Sequence, residues 1–287
     1  MKLIRFGEAG KEKPGIQDAE GKNLDCSAFG EDWDEYFFTE NGLARLEEWL
    51  AANQKNLNEI PNNARIGSPI ARPSKIICIG LNYRKHAEEA GMAVPEVPII
   101  FMKATSSLCG PFDPIFIPKK SLQTDWEVEL AVVIGKRAKY VNPENANEYI
   151  AGYCLHNDVS ERDFQLRHGG QWVKGKSADH FAPLGPILAT KSEIPDPHNL
   201  RLWLKLNGKI LQDSTTSDLI FDIPTIVSHL SQYMTLLPGD VISTGTPAGV
   251  GMGLKPKPRY LEHGDVVELG IDGLGVSRQV AMNDPEA

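Results

Sequence analysis

Long apolar runs, blocks of basic residues and paired cysteines are all missing from this sequence of 287 residues. The longest apolar runs are far shorter than the roughly 20 residues of a membrane-spanning helix, so we expect no membrane contact. No long apolar segment follows Met1, so we expect no signal peptide. Lys and Arg number 30 against 38 Asp and Glu and form no block, which argues against nucleic-acid binding.

The cysteines are few and far apart. There are four, Cys26, Cys78, Cys109 and Cys154, and no two of them form a CxxC pair. In a chain of this length, scattered cysteines are typical of free, mostly buried thiols in a reducing compartment. We therefore expect a cytoplasmic protein.

Composition and segment patterns predict a folded protein with two unequal parts. Hydrophobic residues make up 41% and charged residues 24% of the sequence, as in soluble globular proteins. Residues 1–70 contain a strand-like start, a hairpin-like segment and one amphipathic helix, and they end in a linker rich in Pro and Gly. We predict a small N-terminal α+β domain at 1–70 and a larger catalytic domain at 71–287.

Strand patterns dominate the sequence from Lys75 onward. Helical segments are few and do not alternate regularly with the strand-like ones. Asn207 and Gly208 form the strongest two-residue turn signal and predict a hairpin. This pattern argues against a doubly wound parallel sheet and predicts an α+β fold rich in mixed sheet.

Three acids open one of the predicted strands, TDWEVELAVVIG. Asp125, Glu127 and Glu129 stand at alternate positions, so their side chains point to one face of a strand. Such a face is often simply the solvated side of an edge strand. Here the apolar Ala131 and Val133 continue the same face, which indicates that it turns inward, where like charges need a neutralising partner.

A metal ion is the partner that we favour. Glu127 and Glu129 would supply two ligands, and Asp158, where a strand-like segment becomes a turn, would supply a third. Three carboxylates suit a hard cation such as Mg²⁺, Mn²⁺ or Ca²⁺ rather than zinc. Three protein ligands would also leave positions open for water and substrate, as a catalytic ion requires.

A histidine and a glutamate share one face of the predicted short helix RKHAEEAGM. His86 and Glu89 are three residues apart, a spacing that brings side chains together on a helix. A histidine held by a carboxylate can act as a general acid or base near neutral pH. The alternative is an incidental pair on a solvated helix, where such pairs are common.

The segment GQWVKGKS matches the P-loop pattern letter for letter, but its surroundings do not. A P-loop requires a buried strand before it and a helix after it. RDFQLRHG is not a buried strand, and Pro183 and Pro186 forbid a regular helix afterwards. We therefore disfavour nucleotide binding and keep Lys176 as a candidate to stabilise a developing anion. A second Gly-rich segment, residues 243–253, could bind a carboxylate through its backbone N–H groups.

The order of these segments resembles the fumarylacetoacetate hydrolase family. The similarity runs from about Lys75 to Gly275 and is carried by GLNYRKHAEEAG, DWEVELAVVIGK, GYCLHNDVSERDFQ, KGKSADHFAPLGP and LNGKILQDSTTSDLIFDIPTIVSHLSQYMTLLPGDVISTGTPAGVG. The N-terminal segment is similar to the small leading domain of the longer members. Among these, the chain most resembles the group, often labelled ureidoglycolate lyase, that acts on 2,4-diketo-3-deoxy sugar acids such as those derived from fuconate or rhamnonate.

This resemblance implies a mixed β-sheet roll, a homodimer and a divalent cation, Mg²⁺ or Mn²⁺. The larger founding members add a fourth carboxylate ahead of the histidine. This chain has Ile79, Gly80 and Asn82 there, so three metal ligands are expected. The implied residues are the metal ligands Glu127, Glu129 and Asp158, the dyad His86 and Glu89 on a lid helix, the carbanion-stabilising Lys176, and Gln165 and the Thr246 backbone as holders of the substrate's carboxylate or keto oxygen.

The implied reaction is hydrolysis of a carbon–carbon bond in a 2,4-diketo acid of the acylpyruvate type, giving pyruvate and a hydroxy acid. A decarboxylase or tautomerase of oxaloacetate-like acids is an alternative within the same family. It needs the ion and an enolate but no attacking water, so the His86–Glu89 dyad favours hydrolysis. A structural ion site without catalysis is the non-enzymatic alternative.

Overall fold

A computed structural model provides the structure of residues 1–286. Its strands form four sheets, the largest with ten strands, and its helices are few and short. The prediction of an α+β fold with mixed sheets is therefore confirmed. No helix among these residues is long and apolar enough to cross a membrane.

The described strands are β1 (Lys2–Phe6), β2 (Lys13–Gln17), β3 (Asn23–Asp25), β4 (Ile66–Gly67), β5 (Ile76–Gly80), β6 (Ile99–Lys103), β7 (Leu108–Cys109), β8 (Ile115–Ile117), β9 (Thr124–Asp125), β10 (Val128–Ile134), β11 (Ile150–Asn157), β12 (Ser160–Glu161), β13 (Ala182–Pro183), β14 (Leu188–Thr190), β15 (Arg201–Leu206), β16 (Lys209–Thr215), β17 (Val241–Ser243), β18 (Val266–Ile271) and β19 (Gly275–Asn283).

The α-helices are α1 (Glu35–Thr39), α2 (Gly42–Asn53), α3 (Arg84–Glu89), α4 (Arg162–Arg167), α5 (Val173–Lys176) and α6 (Ile223–Tyr233). Short 3₁₀ turns cover Ser27–Phe29, Gln54–Asn56, Thr105–Ser107, Pro143–Tyr149, Thr216–Asp218 and Gly251–Gly253.

The ten-stranded sheet carries the acidic strand near its middle. Its order is β3-β2-β1-β14-β11-β10-β17-β5-β6, and β4 also pairs with β1. All neighbours run antiparallel except β17 and β5, which are parallel. Strand β10 therefore lies between β11 and β17, away from any sheet edge.

Strand β10 is buried on both faces. Leu130 and Val132 pack into one hydrophobic cluster, and Ala131 and Val133 pack into another on the opposite side. Ala131 and Val133 have no solvent exposure, which confirms that the face carrying the acids turns inward. The carboxylates that precede them therefore need partners inside the protein.

A second sheet of five strands has the order β16-β15-β18-β19-β8. Strands β15 and β16 form the hairpin predicted at Asn207-Gly208, where both residues have positive φ, 50° and 80°. Two consecutive positive φ angles are what a tight two-residue hairpin turn requires. Strand β19 is the longest of the described strands.

The N-terminal segment shares the ten-stranded sheet with the rest of the chain. Strand β1 pairs antiparallel with β14, with Lys2 opposite Ala189. The predicted helix corresponds to α2, which buries Leu46 and Leu50. The domain boundary at residue 70 stays a prediction. The pairing of β1 with β14 joins the N-terminal segment to the larger predicted domain by backbone hydrogen bonds. All four cysteines are free and buried, as expected.

Candidate active site

Strand β10 and the end of β11 bring three carboxylates together. Glu127 directly precedes β10, Glu129 is its second residue, and Asp158 directly follows β11. The Asp158 N–H donates to the Glu127 carbonyl at 3.0 Å, which ties the two segments together. Each of the three side chains can place a carboxylate oxygen within 4.8 Å of the other two, and all three are buried.

The remaining acid of the motif, Asp125, serves a different purpose. Its carboxylate accepts hydrogen bonds from the backbone N–H groups of Gly251, at 2.6 Å, and Met252, at 3.0 Å. It also accepts from Arg162 Nε at 2.8 Å. Asp125 thus fixes the Gly-rich loop and does not join the carboxylate cluster.

Three buried cations surround these carboxylates. Lys176 Nζ donates to Glu127 at 2.7 Å and to Asp158 at 2.8 Å. Lys103 Nζ donates to the other Asp158 oxygen at 2.5 Å. Arg162 Nη2 donates to Glu127 at 2.7 Å. Every carboxylate of the cluster except Glu129 therefore has a cationic partner.

The pKa values in the cluster follow from burial and this unequal pairing. Burial, reinforced by Asp158 and Glu127, raises the pKa of Glu129 well above its usual value. Burial also disfavours the charged form of Asp158, but Lys103 and Lys176 outweigh it and lower the pKa of that carboxyl. For Lys176, Asp158 and Glu127 outweigh burial and raise the pKa of the ammonium group.

The donor set fits a divalent cation. Glu127, Glu129 and Asp158 offer only oxygen, the donor that hard cations prefer. Burial, together with the neighbouring carboxylates, raises the pKa of Glu129, and a cation beside it would favour its charged form. Among residues 1–286, these three side chains form the one group of three or more acidic, His or Cys residues whose ligand atoms lie close enough together to hold an ion. The expected three-carboxylate set is thus assembled.

Asn82 lies where the resemblance implies a fourth carboxylate in the larger family members. Its side chain instead forms hydrogen bonds to the backbone of neighbouring segments. Its amide donates to the carbonyls of Phe221, at 3.0 Å, and Thr244, at 2.7 Å. Its side-chain oxygen accepts from the Phe221 N–H at 2.8 Å. This residue therefore joins three segments and supplies no ligand.

Lys176 reaches the cluster because a glycine precedes it. A Cβ at Gly175 would lie 2.4 Å from the Glu161 carbonyl and 2.5 Å from the Gln165 nitrogen. Only glycine allows helix α5 to pack this closely against α4. The segment before the P-loop-like motif is helix α4 and not a strand, so the nucleotide-binding interpretation finds no support in the fold.

The predicted dyad is formed on α3 and is anchored to the Gly-rich loop. His86 Nδ1 lies 3.2 Å from Glu89 Oε2. The Gly249 N–H donates to the Glu89 carboxylate at 3.0 Å. The loop was expected to bind a carboxylate, and the carboxylates that its amides bind are those of the chain itself, including Glu89.

Gln165 and Thr246 also lie at the site, each with a protein partner. Gln165 Oε1 accepts from Arg162 Nη1 at 3.1 Å. Thr246 Oγ1 donates to the Val128 carbonyl at 3.0 Å and accepts from Gln212 Nε2 at 2.8 Å. The Thr246 hydroxyl is therefore occupied, which leaves its backbone as the predicted contact to substrate.

One cavity of about 100 Å³ joins the two halves of the site. Six of the eight predicted residues line it, and the other two, Glu89 and Asp158, contact residues of that lining. The six are His86, Glu127, Glu129, Gln165, Lys176 and Thr246. His86 therefore lies in the same cavity as the acidic cluster, and Glu89 contacts it from outside the lining.

Sequence analysis missed two of the cations, Lys103 and Arg162. Lys103 ends the apolar strand PIIFMK, and a lysine in such a segment is rarely buried without an anionic partner. Arg162 lies four residues after Asp158, within a segment already singled out. The position of Lys103 at the end of an apolar strand and that of Arg162 close to Asp158 are the sequence signals that could have indicated these cations.

Behind Glu129 lies a buried hydrogen-bonded chain. Ser243 Oγ donates to Glu129, and His156 Nδ1 lies 2.7 Å from Ser243 Oγ. The His156 ring nitrogen and the Ser243 hydroxyl thus form the second hydrogen bond of this chain. Burial lowers the pKa of His156 to about 3, so this histidine stays neutral.

Comparison with known proteins identifies the family. The family model described as fumarylacetoacetate (FAA) hydrolase C-terminal matches residues 75–281. A relative from Burkholderia multivorans, named only as a candidate hydrolase, is 51% identical over 280 residues, which is 98% of each chain. The chain belongs to the fumarylacetoacetate hydrolase family.

Solved structures of similar proteins cover the full length of the chain. Fumarylacetoacetate hydrolase from psychrophilic Exiguobacterium antarcticum is 34% identical, with a TM-score of 0.86 over 99% of this chain and 100% of that one. The 2-hydroxyhepta-2,4-diene-1,7-dioate isomerase of Mycobacterium marinum is 32% identical, with a TM-score of 0.74 over 99% of each chain.

A third structure contains ligands. Maleylpyruvate hydrolase from Sphingobium sp. SYK-6, in complex with manganese (II) ion and pyruvate, is 29% identical, with a TM-score of 0.82 over 99% of each chain. The similar structures thus include both hydrolases and an isomerase, and the fold and family of this chain are shared with both.

Proposed function

We propose that the protein is a metal-dependent hydrolase that cleaves a carbon–carbon bond of a 2,4-diketo acid of the acylpyruvate type and releases pyruvate. The observation that carries this proposal is one cavity lined both by His86, which contacts Glu89, and by the carboxylates of Glu127 and Glu129. A hydrolase needs a base for water as well as an electrophilic centre. The pyruvate in the similar maleylpyruvate hydrolase supports the choice of product.

The three carboxylates would hold Mg²⁺ or Mn²⁺, which would act as a Lewis acid on the substrate's keto oxygen. His86 takes a proton from water at Nε2, because its Nδ1 faces Glu89. Hydroxide adds to the C4 carbonyl, and collapse breaks the C3–C4 bond, with the electron pair remaining on C3. The fragments are a carboxylic acid and pyruvate enolate, which takes up at C3 the proton that His86 removed from water.

Lys176 is suited to stabilise the enolate. An ammonium group has three N–H donors, and two of them go to Glu127 and Asp158. The third is available to the enolate oxygen, where a fixed charge in a buried site has its largest effect. Gln165 and the Thr246 backbone would hold the substrate carboxylate in the same cavity.

Pyruvate release, coupled to lactate dehydrogenase, tests the proposal. We expect release from a 2,4-diketo acid with Mg²⁺, none with EDTA, and loss of release in His86→Ala. Oxaloacetate tests the decarboxylase alternative: pyruvate from oxaloacetate alone would keep the ion site and replace hydrolysis by decarboxylation. Pyruvate from neither substrate would contradict both.

Three finer expectations are also proposals. A 2,4-diketo-3-deoxy sugar acid as substrate rests on the sequence resemblance, and such an acid would be one of the substrates in the pyruvate-release assay. A homodimer would show twice the 31.6 kDa mass of the chain in light scattering. A cytoplasmic location agrees with four buried, free thiols, and fractionation of cells would test it.

A further inference from the structure

Glu129 differs from the other two carboxylates of the cluster in having one oxygen without a hydrogen bond. Both oxygens of Glu127 and both oxygens of Asp158 accept hydrogen bonds from buried cationic side chains. Glu129 Oε2 accepts from the Ser243 hydroxyl and from the Gly245 N–H, the latter at 2.9 Å. Within the part of the chain that the structure describes, no hydrogen bond reaches Glu129 Oε1. This oxygen can therefore bind a cation without competition from a protein donor.

The pairing of three neighbouring strands places Glu129, Ser243 and His156 on one face of the large sheet. On β11, His156 lies directly opposite Glu129. On β17, Ser243 lies opposite Ala131, two residues further along β10 than Glu129. Residues opposite each other point to the same face of a sheet, and so do residues two apart on one strand. The short side chain of Ala131 leaves room for the Ser243 hydroxyl to reach diagonally to the Glu129 carboxylate.

His156 supports this serine from the other side of β10. Its Nδ1 lies 2.7 Å from Ser243 Oγ, and the residue is buried. Its second ring nitrogen, Nε2, is also buried and has no hydrogen-bond partner among residues 1–286. A buried polar atom without a partner costs about 1–3 kcal/mol, so packing alone would favour an apolar side chain at this position. The contact with Ser243 is what a histidine provides here and an apolar residue would not.

We propose that Ser243 and His156 are positioning residues for the metal ion, because they fix Glu129 Oε2 and thereby leave Oε1 oriented for the ion. The inference rests on the ion site of the proposed function. A carboxylate that is already held in its binding orientation loses less conformational freedom when the ion binds. Neither Ser243 nor His156 lines the cavity, so each acts through Glu129 and not on the substrate.

Titration calorimetry with Mn²⁺ on EDTA-treated, dialysed protein measures the affinity for the ion without any turnover. We expect Ser243→Ala to raise the Kd for Mn²⁺ by about 10- to 100-fold, the usual effect of removing a group that orients a metal ligand. Ser231→Ala is the matched control. Ser231 is also fully buried, but its hydroxyl bonds the backbone of Ser228 and Val141 and no carboxylate. The Kd of this control for Mn²⁺ should equal that of the wild type.

Two changes at His156 separate positioning from packing. His156→Leu removes the contact with Ser243 and should raise the Kd for Mn²⁺ by about tenfold. His156→Asn keeps a side-chain amide near the position of Nδ1, so its Kd should return toward that of the wild type. Urea unfolding of the same variants in EDTA reports their stability without the ion. A merely structural role would lower this stability and leave the Kd for Mn²⁺ unchanged, which would contradict positioning.

The outcomes distinguish this inference from the proposed function. A Kd for Mn²⁺ that stays unchanged in both Ser243→Ala and His156→Leu would overturn the positioning role and leave the proposed hydrolysis standing. The expected Kd values without any pyruvate release from wild-type protein would support the positioning role and contradict the hydrolysis alone. Absence of Mn²⁺ binding to wild-type protein would overturn both.

Discussion

At the scale of single residues, the site is set by an imbalance of buried charge. The carboxylates of Asp125, Glu127 and Asp158 pair with three buried cations, while Glu129 accepts only neutral donors from Ser243 and Gly245. An unpaired carboxylate in a buried cluster is costly unless it is protonated or bound to a cation. This excess is what a metal ion would neutralise.

Removal of one buried cationic side chain should therefore lower the free energy of unfolding, and bound Mn²⁺ should restore part of the loss. We expect Lys103→Met to lower the free energy of unfolding by about 3–5 kcal/mol, because Asp158 loses a buried partner. Mn²⁺ should restore part of this loss. Urea unfolding with Mn²⁺ or with EDTA measures both effects. Lys209→Met, at an exposed position, is the control and should change stability by less than about 0.5 kcal/mol. Equal losses in the two variants would refute the pairing.

The neutral His156 predicts a pH dependence of stability. Its folded pKa of about 3 lies below the ordinary value of 6.5, so the unfolded chain binds the proton more readily between these values. The free energy of unfolding should thus fall as the pH drops from 6.5 toward 3. The free energy of unfolding of His156→Gln should fall less steeply over this pH window. That of His263→Gln, a change at an exposed site, should follow the wild type. Parallel curves for wild type and His156→Gln would contradict a buried neutral histidine.

At the scale of elements, two short helices depend on glycines for their positions. Gly175 allows α5 to approach α4, which carries Lys176 to the carboxylates. The end of α3 is held by the bond from the Gly249 N–H to Glu89. Helix α3 therefore has an anchor that also orients His86.

Gly253→Ala tests this anchor without removing it. A Cβ at Gly253 would lie 2.4 Å from the Glu89 carboxyl carbon, so Glu89 must move and His86 loses its orientation. We expect kcat for pyruvate release to fall by up to about 100-fold, the effect of a displacement of about 1 Å. In a Glu89→Ala background the same change should have almost no further effect. Additive losses would mean that Gly253 acts elsewhere.

At the scale of the whole molecule, one strand links the site to the core. Strand β10 is buried on both faces at the middle of the ten-stranded sheet, and Glu127 and Glu129 lie at its N-terminal end. A cation that binds the folded chain and not the unfolded chain should therefore stabilise the entire fold.

Thermal unfolding should report this linkage. We expect Mn²⁺ at about 100 times its Kd to add about 2.7 kcal/mol of stability over the EDTA-treated protein. Glu129→Gln should abolish most of this gain, because it removes a ligand from the cluster. Glu262→Gln, at an exposed acid, should keep it. A gain that survives in Glu129→Gln would place the ion elsewhere.

Part of the site is visible in the sequence because it depends on local spacing. The alternation of Glu127 and Glu129 and the three-residue spacing of His86 and Glu89 both predict shared faces. The structure places Glu127 and Glu129 in one cavity and brings Glu89 into contact with His86. The hairpin at Asn207-Gly208 follows from the same kind of local rule.

The rest depends on contacts between distant segments. Lys103 meets Asp158 across 55 residues of sequence, and no local pattern predicts that pair. The amides of residues 243–253 bind carboxylates of the chain itself, which spacing does not reveal. The pairing of β1 with β14 likewise joins segments from the two predicted domains, and no local pattern predicts it.

The most direct test of carbon–carbon hydrolysis is the product stoichiometry. The protein would be incubated with Mn²⁺ and 2,4-dioxohexanoate, and pyruvate, propanoate and carbon dioxide would be quantified over time. Hydrolysis predicts pyruvate and propanoate in equal amounts, no carbon dioxide, and loss of both products in His86→Ala. Carbon dioxide without propanoate, or rearranged substrate without pyruvate, would contradict it.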